Sequence, residues 1–200
     1  MHAREVSDEL APDTVGDRPR LVLCAVDHSL ADAWQQIVPD EEMLSVHAGS
    51  VLDAGTDAVV SPANSHGSMR GGIDAVYAKA FFGIEERVRS AILTYHGGEL
   101  PVGEALVVPT GTERPPWLIS APTMREPAQR LPSDTVHPFL AARAVFRLWA
   151  NGRFEDGAAL RTTIGSIALP GLGTGVGGVA PATCARQVLA AWHEIFTPRA

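Results

Sequence analysis

An alternation of short apolar runs with segments of helical periodicity constrains the fold of this chain more than any other feature. Six runs have the length and apolar content of strands, at residues 21–26, 43–47, 58–61, 105–108, 117–120 and 164–169. Apolar residues at helical spacing fill the intervals, at residues 29–39, 73–82, 85–95, 137–150 and 181–196. This order predicts an α/β domain in which helices pack on both faces of a sheet.

The length of 200 residues suits one domain with a sizeable core. Residues 1–19 are polar and lack periodicity, which predicts a loose tail followed by a single domain over residues 20–200. The proline-rich residues 122–138 predict a long connection without a regular element. Connections of that length are often functional.

Local signals mark several helix ends. Ser29 with Asp32 three residues on resembles a capping box, which predicts a helix that begins there and ends near Pro39. Gly97, the first residue of a glycine pair, is expected to end the helix at residues 85–95.

Composition and charge exclude several classes of function. The 16 Lys and Arg residues against 23 Asp and Glu give a net charge of −7, which argues against general nucleic-acid binding because such binding needs a cationic surface. The two cysteines cannot form a multi-bridge disulfide framework, and no Cys/His cluster has zinc spacing. No apolar segment has the length of a signal sequence or a membrane span, which together with the two cysteines predicts a cytoplasmic protein without a membrane partner. We also expect no metal and no cofactor.

Two glycine-rich loops carry the pattern that points to chemistry. One covers residues 61–74 and the other residues 170–178, each between the end of a predicted strand and the start of a predicted helix. Unpaired main-chain N–H groups and the positive end of the helix dipole favour a phosphate at such positions. Two such loops at one sheet edge would suit a diphosphate bridged between them.

Two other interpretations of these loops remain open. Gly173, Gly175 and Gly178 match the GxGxxG pattern of nicotinamide-dependent oxidoreductases, but the further strand and the acidic residue about 20 positions on are missing. The glycines of either loop would also be explained by tight turns alone.

Several segments, taken together and in order, resemble the macrodomain family. The first loop has Asn64, followed ten residues later by Asp74 behind a Gly-Gly-Ile run, which is the family's arrangement. The segment DAVVSPAN at residues 57–64 is similar to the family's VDAIVNPAN, and LPVGEA at residues 100–105 to its LPxGEA. IALP and GTGVG near the end of the chain are similar to its IAFP and STGVYG, so that the similarity spans residues 44–197.

The resemblance implies a three-layer α/β/α sandwich with a mixed six- or seven-stranded sheet that binds ADP-ribose in a cleft at one sheet edge. It further implies an ADP-ribosyl hydrolase that removes mono-ADP-ribose from modified proteins or from a small ADP-ribose derivative. Asn64 would position the distal ribose, and Asp74 would assist a water that attacks the anomeric carbon. The other predicted ligand contacts are Ser50, Val51, Ala63, Gly71, Gly72, Ile73, Gly173, Thr174, Gly175, Val176, Gly177 and Arg125.

Several residues in or near the predicted site also have a simpler explanation. Asp74 would stabilise a helix start in any case, and Asn64 would serve in a turn. His66 is a candidate base but is more typical of a solvated loop residue, and Lys79 is expected to be a surface residue. Arg125 could meet a phosphate or instead pair with Glu126 or another surface carboxylate.

The sequence departs from the family at three places that bear on function, one of which is the stretch APTMR at residues 121–125 in place of the family's HTVGP-like stretch. Ser50 stands where many members have an aspartate that contacts the adenine amino group, so that Asp53 or Asp57 would have to substitute. Gly177 stands where members usually have an aromatic residue near the distal ribose. These departures leave a non-catalytic ADP-ribose reader as the alternative function.

Overall fold

The computed structural model describes residues 16–38 and 42–197, so that most of the predicted tail at residues 1–19 lies outside the described residues. The described strands are β1 (Arg20–Ala25), β2 (Leu44–Ala48), β3 (Ala58–Ser61), β4 (Leu106–Pro109), β5 (Trp117–Ser120) and β6 (Ser166–Leu169). The α-helices are α1 (His28–Gln35), α2 (Gly72–Ala80), α3 (Ile84–His96), α4 (His137–Asn151), α5 (Leu160–Thr163) and α6 (Pro181–Phe196). A short 3-10 helix covers Val51–Asp53.

The strands form one mixed sheet in the order β2-β1-β6-β3-β5-β4. Only β4 runs antiparallel to its neighbour among the six described strands; the other pairings are parallel. The predicted three-layer mixed sheet is therefore confirmed. Because β1, β2, β3, β5 and β6 run in the same direction, their carboxyl ends meet at one edge of the sheet.

Each face of the sheet has its own apolar layer. Strand β1 divides its side chains between them, with Leu21 and Leu23 on one face and Val22 and Cys24 on the other, as the alternation of a strand requires. The first layer contains side chains from α1, α4, α5 and α6, and the second contains side chains from α2 and α3. Burial on both faces explains why β1 is an almost continuous apolar run.

The predicted start and end of α1 are wrong. The cap is Asp27 rather than Ser29: its Oδ1 accepts hydrogen bonds from the Leu30 amide at 2.9 Å and from the Ser29 hydroxyl at 2.6 Å. The helix ends at Gln35 rather than near Pro39, because the Ile37 N–H donates to the Trp34 carbonyl three residues back, at 3.1 Å, and no longer to the carbonyl four residues back.

Other boundaries follow the sequence closely. Gly97, with φ of 64°, ends α3 as predicted, and β3, β5 and α6 cover the predicted residues. The strand predicted at residues 164–169 begins only at Ser166, since the unpredicted α5 runs directly into it and is too short to show a periodicity. No helix in the described ranges has the length and apolar content to cross a membrane.

Candidate functional site

A cavity of about 580 Å³ lies at the carboxyl edge of the sheet, within the size range of small-molecule sites. Loops that follow β1, β2, β3, β5 and β6 all contribute to its wall. Every predicted site residue except Arg125 lines it: Asn64, Asp74, Ser50, Val51, Ala63, Gly71, Gly72, Ile73, Gly173, Thr174, Gly175, Val176 and Gly177. The structure therefore brings the two glycine-rich loops together around one space.

Strand order sets the layout of the cavity. We call the part formed by residues 24–27, 30 and 49–51, after β1 and β2, the β1 end. The part formed by residues 62–64, 68, 70–74 and 76, after β3, is the β3 end. Strand β6 lies between β1 and β3, so that its glycine loop at residues 170–177 lies between the two ends.

Asp74 is the buried carboxyl group of the β3 end. It lies in the first turn of α2 with only 7% of its surface exposed, and its Oδ1 accepts a hydrogen bond of 2.6 Å from the Ser61 hydroxyl. Burial raises the pKa of Asp74 to about 6, and the hydrogen bond from Ser61 opposes part of that rise. The carboxyl can therefore take up and release a proton near neutral pH, which general acid–base chemistry requires.

Asn64 lines the cavity but uses most of its amide to hold its own loop. Its Nδ2 donates to the Ser68 carbonyl at 2.8 Å, and its Oδ1 accepts from the main-chain N–H groups of His66 and Ser68, each at 3.2 Å. An asparagine amide has two hydrogens, so that one N–H is left for a ligand. This engagement of the carbonyl oxygen could not be read from the sequence.

Hydrogen bonds and close packing hold the first loop against neighbouring segments. The Ser65 N–H donates to the Met124 carbonyl at 3.0 Å, and the Leu100 N–H donates to the Ser65 carbonyl at 2.9 Å. Gly67 packs so closely on α3 that an added Cβ would lie 2.9 Å from Ile92 Cδ1. The backbone around Asn64 is therefore anchored to both α3 and the connection that follows β5.

The second loop explains why Gly177 is not an aromatic residue. An added Cβ at Gly177 would lie 2.5 Å from the Gly173 carbonyl oxygen and 3.1 Å from Leu131 Cδ1. The Leu131 N–H also donates to the Gly177 carbonyl at 2.9 Å. The connection at residues 122–138 thus packs against the glycine loop, and its residues 123, 124, 127 and 128 form part of the cavity wall.

Arg125 lies outside the cavity lining. Its Nε and one terminal nitrogen donate to the two carboxylate oxygens of Glu99 at 2.7 and 3.0 Å, and a second terminal nitrogen lies 3.7 Å from Glu126. The pairing with surface carboxylates is therefore the one that the structure adopts. His66, 3.5 Å from Glu126, and the exposed Lys79 are also not among the lining residues.

Two charged residues that line the cavity were not predicted from the sequence. Arg70 is exposed and is the only cation among the lining residues, and Asp27 is the carboxylate of the β1 end. The proposed substitutes Asp53 and Asp57 do not line the cavity; Asp57 instead accepts three hydrogen bonds from Gly165 and Ser166. The rule that ligands bind at the carboxyl ends of strands would have pointed to Asp27, which follows β1 closely.

The described residues form neither a metal site nor a reactive thiol. Within residues 16–38 and 42–197, no group of three or more His, Cys, Asp and Glu side chains could hold a metal ion. Cys24 lines the cavity, but burial raises the pKa of its thiol to about 12, so that it is not a nucleophile at neutral pH.

Comparison with known proteins agrees with this geometry. A family model described as the Macro domain matches residues 60–188. An uncharacterized protein of Aquifex aeolicus is 35% identical over 146 residues, which cover 73% of this chain and 78% of that protein. The solved macrodomain of Mycobacterium tuberculosis DarG shares the fold with a TM-score of 0.59 and 24% identity, over 75% of this chain and 90% of that one. An Oceanobacillus iheyensis macrodomain variant solved with ADPR gives a TM-score of 0.58 and 17% identity, over 76% and 77% of the two chains.

Proposed function

The chain belongs to the macrodomain family, and from this premise we propose that it is an ADP-ribosyl hydrolase. Its substrates would be proteins that carry mono-ADP-ribose, or a small derivative of ADP-ribose. The premise supplies an ADP-ribose-binding fold, and the structure of a family member with ADPR supports that ligand for the cavity. The catalytic step rests on the chemistry of the β3 end.

The diphosphate would lie across the second glycine loop. An added Cβ at Gly175 would meet no atom within 4 Å, so that the backbone there faces open space that a ligand can occupy. Main-chain N–H groups can donate to phosphate oxygens at such a loop, and Arg70 supplies the one positive charge of the lining. Such an arrangement would bind a doubly charged anion although no lysine is among the lining residues.

The single observation that carries the hydrolase proposal is the buried carboxyl group of Asp74. In its ionised form Asp74 would accept a proton from a water whose oxygen forms the new bond to the anomeric carbon of the distal ribose. The bond from that carbon to the modified group breaks, and the departing group takes up a proton. The oxocarbenium-like transition state would be stabilised by the carboxylate and by the ligand's own phosphate.

Asn64 has a positioning role in this scheme. Its remaining amide N–H can donate to a ribose hydroxyl, while its other hydrogen bonds fix the loop that leads to Asp74. Replacing Asn64 by alanine would therefore weaken ligand binding as well as release.

A single-turnover assay of ADP-ribose release from a mono-ADP-ribosylated protein tests the proposal. We expect Asp74→Asn, which keeps the size of the side chain, to slow release by a factor of about 100 or more. Asp53→Asn is the matched control, because it removes the same charge from an exposed side chain outside the cavity lining. Release by Asp74→Asn at the rate of wild type would eliminate the proposed role of Asp74.

The pH dependence of release gives a second readout of the same experiment. Because the pKa of Asp74 is raised to about 6, the ionised base is scarce below that pH. Release should rise about tenfold per pH unit below pH 6 and level off above about pH 7. A pH-independent rate between pH 5 and 8 would show that another group carries the proton.

A non-catalytic reader is the second candidate, and the occupied amide of Asn64 and the glycine at position 177 favour it. A reader would bind ADP-ribose in a calorimetric titration and release none from a modified protein. The two assays together separate the candidates.

A further inference from the structure

The cavity has a carboxylate at each end. Among the described residues, only Asp27 and Asp74 are acidic residues that line it, and they follow β1 and β3 respectively. One strand, β6, separates β1 from β3 in the sheet, so that the two strands are about 10 Å apart. An elongated ligand that crosses the β6 loop would therefore meet one carboxylate at either side.

The two ends differ in chemical character. The β3 end is polar, with Asn64, Ser68, Arg70 and Asp74 in its wall, which suits the hydroxyl groups of a sugar. The β1 end is mostly apolar, with five such side chains in its wall: Cys24, Ala25, Val26, Leu30 and Val51. Apolar walls with a few polar groups suit a flat heterocyclic base. The adenine of an ADP-ribose would thus lie at the β1 end.

The carboxylate of Asp27 is fixed and charged. The Leu30 amide and the Ser29 hydroxyl both donate to its Oδ1, at 2.9 and 2.6 Å. These hydrogen bonds, led by that from Ser29, lower the pKa of Asp27, so that it is ionised at neutral pH. Its Oδ2 is then an acceptor for a donor on a ligand.

The other polar side chain of the β1 end is already engaged. The Ser50 hydroxyl oxygen accepts the Leu52 amide at 3.2 Å, which caps the 3-10 helix at Val51–Asp53. Asp53 and Asp57 are absent from the cavity lining. Asp27 is therefore the only carboxylate that the described residues offer to a base at this end.

We propose that Asp27 selects the base of the ligand by accepting a hydrogen bond from the exocyclic amine of adenine. This inference rests on the proposed ADP-ribose site. It assigns base selection to the residue that caps α1, at a chain position other than that of Ser50.

Calorimetric titration with a pair of ligands tests the proposal. One ligand is ADP-ribose, and the other is the analogue in which hydrogen replaces the 6-amino group of adenine. We expect wild type to bind ADP-ribose about tenfold more tightly than this analogue, the typical effect of a hydrogen bond to a charged group. Asp27→Ser should bind the two ligands equally, while Asp53→Ser, the charge-matched control, should keep the preference of wild type.

Asp27→Ser is chosen because serine also caps helices well, so that the variant should fold. Its thermal midpoint, measured without ligand, checks this point. A second variant, Asp27→Asn, keeps an oxygen for the cap and presents an N–H donor in place of Oδ2. It should shift the affinity ratio about tenfold towards the inosine form of the ligand, whose base carries a carbonyl oxygen instead of the amine. A purely structural role for Asp27 would leave both affinity ratios unchanged.

Two results would overturn the inference, and they differ from failure of the proposed function. If wild type binds ADP-ribose and the 6-hydrogen analogue equally, Asp27 does not read the amine. If folded Asp27→Ser keeps the tenfold preference, another group reads it. If wild type binds neither ligand, the proposed ADP-ribose site itself fails and the inference falls with it.

Discussion

The surroundings of Asp74 raise the pKa of its carboxyl group. A carboxyl group in the first turn of a helix is ordinarily a stabilising surface residue. Here α2 packs that turn against β3, where the Ser61 hydroxyl is its hydrogen-bond partner and the ring of Tyr77 lies buried one turn further on. The carboxyl group is therefore costly to ionise, and the folded protein carries this cost at neutral pH.

Asp74→Asn should consequently stabilise the protein at high pH. The folded-state pKa of about 6 lies above the usual 3.8, so that stability from the protonated form is complete below about pH 4 and is lost as the pH rises through 6. The difference corresponds to about 3 kcal/mol, and asparagine does not ionise. We expect urea unfolding to show Asp74→Asn more stable than wild type by about 2 to 3 kcal/mol at pH 8.

The comparison at pH 4 is the control for this prediction. There both side chains are neutral, and the stabilities should converge. A variant that is equally or less stable than wild type at pH 8, or a difference that is the same at both pH values, would contradict the proposed cost of the buried charge.

At the scale of elements, the sequence predicts more of the scaffold than of the site. Apolar runs and helical periodicity locate six strands and five helices because burial on both faces of a sheet imposes those patterns. The loop from Asn64 to Asp74 is likewise recognisable by its residues. The packing of Leu131 against Gly177 is not, because it joins a connection without periodicity to a loop 46 positions further along the chain.

Substitution of Gly175 tests whether the glycine loop after β6 belongs to the binding site. An added Cβ at Gly175 would meet no atom within 4 Å, and Gly175 lines the cavity. Gly175→Glu should therefore fold normally but place a bulky negative charge in the path of the diphosphate. We expect its affinity for ADP-ribose to fall by a factor of about 100 or more in a calorimetric titration.

Gly175→Ala is the matched control, since its small side chain adds no charge. It should bind ADP-ribose within a few-fold of wild type. If Gly175→Glu retains the affinity of wild type while folding normally, the second loop is not part of the binding site.

At the scale of the whole molecule, strand order decides which residues share the cavity. Asp27 lies 43 positions before Arg70 in the chain, yet it lines the same space as Arg70 and Asp74 because β1, β6 and β3 are neighbours in the sheet. Local sequence patterns carry no information on that order, so that the sequence does not predict that Asp27 shares a cavity with Asp74. Arg70 lies inside the first glycine-rich loop and could have been assigned from its position there. The net charge of −7 does not exclude an anionic ligand, because Arg70 lines the cavity and main-chain N–H groups of a glycine-rich loop can donate to phosphate oxygens.

We propose that one cavity holds ADP-ribose along its whole length, with the distal ribose at the β3 end. Calorimetric titration of wild type with ADP-ribose and with ADP, which lacks that ribose, tests it most directly. We expect one-to-one binding of ADP-ribose, tighter than that of ADP by a factor of about ten, because only ADP-ribose would reach Asn64 and Asp74. Equal or tighter binding of ADP, or no binding of ADP-ribose, would contradict it.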